Sequence, residues 1–220
     1  MSAGMQDFII LTGIVIKSEP IGEYDRRIVL LTKERGKISA FARGSRRAGN
    51  RLMAPTNPFS FGKFRLFAGR TSYNVSEAEI KNYFEELRSD FIGAYYGMYF
   101  LEICDYYTRE NNDETGMLKL LYQSLRALAS NRFSDKLVRC VFELKAVMIN
   151  GEFGGVDSKD ALGESTAYTV TYIINTPPEK LFSFDVKPEV LKELTVFCRK
   201  ICQRTFDKEF KSLEILEKLE

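Results

Sequence analysis

Residues 25–43 read DRRIVLLTKERGKISAFAR, and this stretch decides the fold of the N-terminal half. Asp25 to Thr32 is a short run rich in Ile, Val and Leu, the composition of a strand. Lys33-Glu34-Arg35-Gly36 is polar and ends on glycine, which supplies the positive φ that a hairpin needs. Lys37 to Arg43 then alternates polar and apolar residues with period two. Two strands and a turn are therefore expected here.

Working outward, Phe8 to Lys17 reads as a preceding strand, apolar on both faces near Ile14 and Ile16. Gly44 to Pro58 (GSRRAGNRLMAPTNP) is too long for a tight turn and is expected as a mobile, functional loop. Phe59 to Phe67 resumes the strand pattern. Its apolar parity changes between Phe59/Phe61 and Phe64/Leu66 around Gly62, which predicts a β-bulge. Ala68-Gly69-Arg70 turns into a fifth strand, Thr71 to about Ile80. Five short strands in a row with one long loop before the fourth suit an OB-like barrel over residues 1–82; an SH3-like barrel fits the same pattern.

From about residue 88 the period becomes helical. Phe91, Tyr95, Met98, Leu101 and Cys104 form one stripe, and Met117, Leu121, Leu125 and Leu128 a second. Leu137, Val141, Leu144 and Met148 form a third, doubled by Val138, Phe142 and Ile149, so that helix is expected to be buried on two sides. Asp113 and Ser134 are the expected N-caps of the second and third helices. A glycine-bearing break at 150–166 precedes a helix from Ala167 to Asn175, stopped before Pro177-Pro178. A long helix starts at Pro188, suited to the first helical position, and runs to Phe206; Leu213 to Leu219 is a short amphipathic tail. The fold class is therefore α+β: a five-stranded barrel, then an all-α domain over 83–220.

Composition narrows the chemistry. Of the 220 residues none is histidine, which removes the commonest general base and metal ligand and forbids a Ser-His-Asp or Cys-His arrangement. Cys104, Cys140, Cys198 and Cys202 include no Cys-x-x-Cys pair, so they are expected to be small buried core residues, with no zinc bound. No Walker loop, metal-ligand cluster or nucleotide-pocket lysine motif is present. The expectation is a protein that binds and does not catalyse, without cofactors. No apolar run approaches a membrane span, and the start lacks a basic segment followed by an apolar one, so a cytoplasmic protein without membrane contact is expected. Met1-Ser2-Ala3-Gly4 is read as a remnant outside the fold.

The net charge of +2 hides polarity along the chain. Residues 1–80 hold 13 Lys/Arg against 7 Asp/Glu, net +6, while 81–220 hold 19 against 23, net −4. Within 33–70 ten bases face one acid, Glu34, a net of +9 interleaved with aromatics inside expected strands. That is the electrostatic footprint of a nucleic-acid site.

Glu23-Tyr24-Asp25-Arg26, Leu30-Leu31-Thr32, Gly36-Lys37, Ala42-Arg43-Gly44-Ser45-Arg46-Arg47 and Pro58-Phe59 resemble, in that order, the RecO family of bacterial recombination mediators. Thr176-Pro177-Pro178-Glu179-Lys180-Leu181-Phe182-Ser183-Phe184 and Lys211-Ser212-Leu213 extend the resemblance to nearly the whole chain. It implies an N-terminal OB-fold, a helical domain, and a nucleoid-associated protein of DNA repair. It further implies binding of single- and double-stranded DNA, strand annealing, and work with RecR and the single-strand-binding protein in loading recombinase. Many members carry a four-cysteine zinc finger at about 150–170; here that segment has no cysteine.

On the third strand Lys37, Phe41 and Arg43 share one parity and one face, with Ser39 and Ser45. Arg46, Arg47 and Arg51 continue into the long loop, and Lys63 and Arg65 add charge from the fourth strand. Phe41, then Phe61, are candidates for base stacking, with barrel filling the other reading of each. Asp25 and Arg26 are expected to be structural. For an acidic, apolar-ended tail of the single-strand-binding protein, Arg126, Arg132, Lys136 and Arg139 are the candidate contacts. An RNA- or ribosome-associated protein, or a protein–protein adaptor meeting an acidic partner, would use the same basic face.

Overall fold

The computed structural model describes residues 8–69, 72–157 and 160–219. The expected remnant at 1–4, the turn residue Arg70 and the expected strand start at Thr71 lie outside the described residues. The chain divides into two compact units. One holds the barrel residues through Phe84 together with Cys104–Leu118; the other holds Glu85–Ile103 and Lys119 onward.

The first unit is a closed five-stranded barrel of β1 (Phe8–Ile21), β2 (Asp25–Thr32), β3 (Gly36–Ala42), β4 (Phe61–Ala68) and β5 (Tyr73–Asn82), in the order β1-β2-β3-β5-β4. Every neighbouring pair is antiparallel except β3 and β5, whose short parallel pairing closes the barrel. That order and closure are those of the OB-fold, which sets the SH3-like alternative aside. Alternation explains the core: Ile28 and Leu30, Ile38, Ala40 and Ala42, and Phe64 and Leu66 point inward with Leu11, Val15 and Val75. Truncating a fully buried ring such as Phe64 would cost about 3–5 kcal/mol. The bulge expected at Gly62 is present, with the β4–β5 register shifting between Phe61 and Gly62. A side chain at Gly62 is excluded because its Cβ would lie 2.1 Å from the Glu79 carbonyl oxygen.

Several strand ends differ from the sequence reading: β3 spans Gly36–Ala42, so Arg43 lies just past it and not on the strand, and two larger differences have a local reason. β1 continues past Lys17 to Ile21, because Pro20 sits next to the last pair of the β1–β2 ladder. β4 starts at Phe61, since Phe59 has φ 72° and belongs to a turn.

The second unit is helical. The helices are α1 (Glu85–Ser89), α2 (Phe91–Tyr107), α3 (Thr115–Ala129), α4 (Asp135–Ile149), α5 (Glu164–Asn175), α6 (Pro188–Thr205) and α7 (Lys211–Leu219). α4 begins at the expected cap: the Ser134 hydroxyl accepts the Leu137 N–H. The Asp113 carboxylate likewise accepts the N–H of Thr115, at the first residue of α3. α4 packs against α5 and α6 and is buried from Leu137 to Val147. Phe142 stacks on Phe100 at 4.1 Å between ring centroids.

The α2 stripe is buried only in part: Leu101 and Cys104 are buried as expected, Tyr95 and Met98 are half-buried. Phe91 is 61% exposed, and the fully buried aromatic side chains are instead Tyr96, Tyr99 and Phe100. α2 is apolar nearly all round, so period alone selects no face.

Candidate nucleic-acid interface

The basic segment at the barrel end is organised by Asp25 and Arg26, the first two residues of β2. The Asp25 carboxylate accepts the Gly44 N–H at 2.7 Å, anchoring the start of the 44–58 segment. Arg26 Nη1 lies 2.9 Å from each of three acceptors near its end: the Met53 carbonyl, Thr56 Oγ1 and Asn57 Oδ1. Burial, then the nearby Arg46 charge, pulls the Arg26 guanidinium below its ordinary value. It remains a cation and a charge-assisted donor.

Between these anchors the backbone makes successive turns, with Arg47, Asn50 and Met53 each donating three residues back. Leu52 is buried in the barrel core. The Arg46 N–H donates to the Tyr24 carbonyl, and Arg46 Nη1 to the carbonyls of Gly22 and Glu23. The 44–58 segment is thus a compact series of turns, internally bonded and tied to the β1–β2 turn. Asp25 and Arg26 pair with this loop and not with each other.

That framework sorts the expected contacts. Lys37 is taken up by Asp105, whose carboxylate lies 2.9 Å from Nζ and whose carbonyl also accepts from it. Arg65 lies over the Phe8 ring at 3.8 Å and 3.6 Å from the Glu77 carboxylate. Arg46 spends one guanidinium nitrogen on carbonyls but stays exposed. Lys63 is exposed and sits opposite Glu79 on β5. Arg43 and Arg51 are exposed with no side-chain partner among the described residues. Arg47 is exposed and stacks on Tyr24 at 4.5 Å from the ring centroid, a cation–π contact that leaves its terminal nitrogens open.

The outer face of β2–β3 answers the question about Phe41. Ile38, Ala40 and Ala42 fill the barrel, while Lys37, Ser39 and Phe41 point outward, Phe41 half-buried. Phe61 is half-buried at the outward parity of β4. Arg27, not singled out from sequence, pairs with Phe41 across the ladder and donates Nε to Ser39 Oγ at 2.8 Å. The hairpin register was the signal that could have found it. Asp105 near the end of α2, and Arg109 and Glu110 just after it, also line this face, a placement with no cue in the local sequence.

In the helical unit Arg126, Arg132 and Lys136 are exposed as expected. Arg132 lies 5.6 Å from the Phe133 ring, which in turn meets Phe182. Arg139 departs from expectation. It is 7% exposed and bonded at 2.8 Å to Glu143, itself 1% exposed and also accepting from the Tyr99 hydroxyl. Burial opposes the Arg139 charge, but the Glu143 carboxylate beside it holds the guanidinium above its ordinary value.

Cys104, Cys140 and Cys198 are buried, and burial pushes the thiols of Cys104, Cys198 and Cys202 up, as suits inert core sulfurs. Among the described residues no group of three or more Cys, Asp or Glu could hold a metal ion. No described helix is long and apolar enough to cross a membrane.

Comparison with known proteins agrees with this architecture. Residues 5–84 match the family model for the recombination protein O N-terminal domain, and residues 88–152 the model for its C-terminal domain. A DNA repair protein RecO from Acetivibrio thermocellus is 27% identical, covering 97% of this chain and 98% of its own. One from Clostridium perfringens is 24% identical over 93% of this chain and 96% of its own. One from Alkaliphilus metalliredigens is 34% identical over 63% of this chain and 56% of its own. With both domain models matched in order on an OB barrel followed by helices, the chain belongs to the RecO family of DNA repair proteins.

Proposed function

We propose that this chain acts in recombinational repair by binding, without covalent chemistry. It holds single- and double-stranded DNA at the 44–58 end of the barrel, and brings complementary strands together. The observation that carries the reading is the set of exposed arginines, Arg43 just before and Arg47 and Arg51 within an internally bonded segment that holds no acid. Phosphate contacts need accessible cations and carry no sequence information, which suits these three exposed arginines. The reading extends to helping load recombinase on DNA coated by the single-strand-binding protein, together with RecR. For that protein's acidic tail, Arg132 beside the Phe133–Phe182 pair offers a basic side chain next to an apolar contact, and Arg126 and Lys136 add exposed charge on their helices. Arg139 is withdrawn from that set because Glu143 holds it inside.

The test is an anisotropy titration of the full chain against labelled single-stranded DNA, duplex DNA and RNA at two salt concentrations. Both DNA forms should bind, more weakly at the higher salt. A clear preference for RNA would favour a ribosome-associated role, and no binding to any probe would favour a protein adaptor. Titration of an acidic tail peptide into the same chain, with Arg132→Ala and Lys136→Ala variants, tests the partner site.

A further inference from the structure

Beside the arginine segment, the outer face of β2 and β3 carries a groove of about 590 Å³, within the range of ligand sites, bordered by Arg27, Ser39, Phe41, Tyr73 and Glu110. Its charge is mixed, unlike the 44–58 segment. We propose that this groove takes one nucleobase of a bound single strand, guanine in preference to the others, and that Glu110 reads it. The proposal rests on the DNA-binding reading above and adds a base preference to it.

The shelf is Phe41, an outward, half-buried ring with nothing in the barrel to fill. A ring in that position offers a face on which any base can stack. Arg27 stands opposite Phe41 on β2, and Ser39 Oγ takes its Nε, which leaves the two terminal nitrogens for a phosphate of the same strand. Tyr73 forms a wall at the start of β5, its hydroxyl held by Arg35 Nη1 at 3.0 Å.

Glu110 is placed by backbone and not by chance. Gly36 and Glu110 form an antiparallel bridge, the Lys37 N–H donates to the Arg109 carbonyl, and the Asn111 N–H to the Arg35 carbonyl, both at 3.0 Å. Gly36 permits this approach: its φ is +63°, and a Cβ there would lie 2.3 Å from the Arg109 oxygen. The Glu110 side chain is exposed and, among the described residues, makes only a long contact, accepting from the Tyr73 hydroxyl at 3.4 Å.

A carboxylate repels phosphates, so in a nucleic-acid site it must meet the edge of a base. It only accepts hydrogen bonds. Guanine presents two adjacent donors, N1–H and the 2-amino group, which match the two oxygens. Adenine and cytosine set their amino group beside a ring-nitrogen acceptor, and thymine sets N3–H between two carbonyls. Each of these turns an acceptor toward one carboxylate oxygen. A bidentate match of this kind discriminates by on the order of tenfold.

The experiment uses the full chain and anisotropy with an oligothymidylate probe and the same probe carrying one central dG, dA or dC. The dG probe should bind about tenfold more tightly than oligothymidylate, and a deoxyinosine probe, which lacks the amino group, should fall between. Glu110→Gln should bring the ratio of dG to oligothymidylate affinity close to one, and Phe41→Ala should weaken all probes. Equal affinity for every probe overturns the base-reading inference while leaving DNA binding intact. A dG preference that survives in Glu110→Gln overturns the role of Glu110. Failure to bind any probe overturns the DNA-binding reading itself.

Discussion

Replacing Arg43, Arg47 and Arg51 together by alanine tests whether fixed, unpaired arginines carry the phosphate contacts. All three are exposed, and none forms an ion pair among the described residues. Each phosphate contact to a single strand contributes roughly 0.7 to the slope of log affinity against log salt. Loss of three such contacts should therefore flatten the slope by about 2. Over a fourfold rise in salt that corresponds to a roughly 20-fold smaller fall in affinity than the parent protein shows. Lys37→Ala is the internal comparison. It belongs to the same basic stretch of sequence, but Asp105 at 2.9 Å already compensates its charge. Its slope should change by well under about 0.7. The assay is anisotropy of a labelled oligothymidylate at several salt concentrations, with circular dichroism to confirm that each variant folds. A Lys37→Ala slope change as large as that of a single exposed arginine would refute the argument that a fixed acid withdraws a base from DNA. A triple variant with the parental slope would remove the 44–58 segment from the contact.

In the helical unit, Glu143→Ala should destabilise by about 3–5 kcal/mol in urea melts, because Arg139 is left charged and buried, whereas Arg139→Met with Glu143→Leu should lie near the parent. A single-variant cost below about 1 kcal/mol would mean that water reaches the pair. Glu193 accepts the Thr166 hydroxyl and, at 2.9 Å, the Gly163 N–H, which in that order hold its carboxyl below the ordinary value of 4.5. A depressed carboxyl stabilises the fold above its unfolded value and loses that contribution as pH falls through the folded one. The melting-temperature gap between parent and Glu193→Gln should thus be present at neutral pH and close below 4.5; a gap constant with pH would contradict it. Charge reversal at Arg47 and Arg51 should slow annealing at concentrations where one strand still saturates the protein, since two strands repel and the second needs surplus positive charge. Proportional losses of affinity and annealing would mean a single site, and an unchanged rate would mean the segment is not the second-strand contact.

The barrel was legible wherever period and turn chemistry agreed. β2 runs from Asp25 to Thr32 as read, and β3 starts one residue early only because Gly36 pairs with Thr32. Phe59 misled because an aromatic in alternation looks like a strand residue, while its left-handed backbone is set by tertiary contact, its N–H donating to the Val15 carbonyl. In α2 the fault was an excess of apolar residues, so that Phe91, Tyr95 and Met98 looked as good a stripe as Tyr96, Tyr99 and Phe100. The doubled apolar stripe of α4 predicts burial on two sides, but nothing local announces that Arg139, Glu143 and Lys145 are buried with it.

The site was legible as a charge density and not as a set of contacts, and the difference is one of range. Ten bases against one acid within 33–70 can be counted, yet whether a base is available depends on partners far along the chain. Asp105 is 68 residues from Lys37 in sequence, and the Gly36–Glu110 bridge, with the Lys37 and Asn111 N–H bonds beside it, brings its segment to the β2–β3 turn. Arg46 looked the same as Arg47 from sequence, but its guanidinium is bonded to carbonyls of the β1–β2 turn while its neighbour rests on Tyr24. The same long-range placement that withdraws Lys37 from the phosphate set also brings a carboxylate to the face of Phe41. A polyanion site built only of bases would read nothing but backbone. On the proposed reading the phosphate contacts fall mainly to the 44–58 segment and the base contact to the outer sheet, where Arg27 adds a phosphate contact beside the base that Glu110 meets.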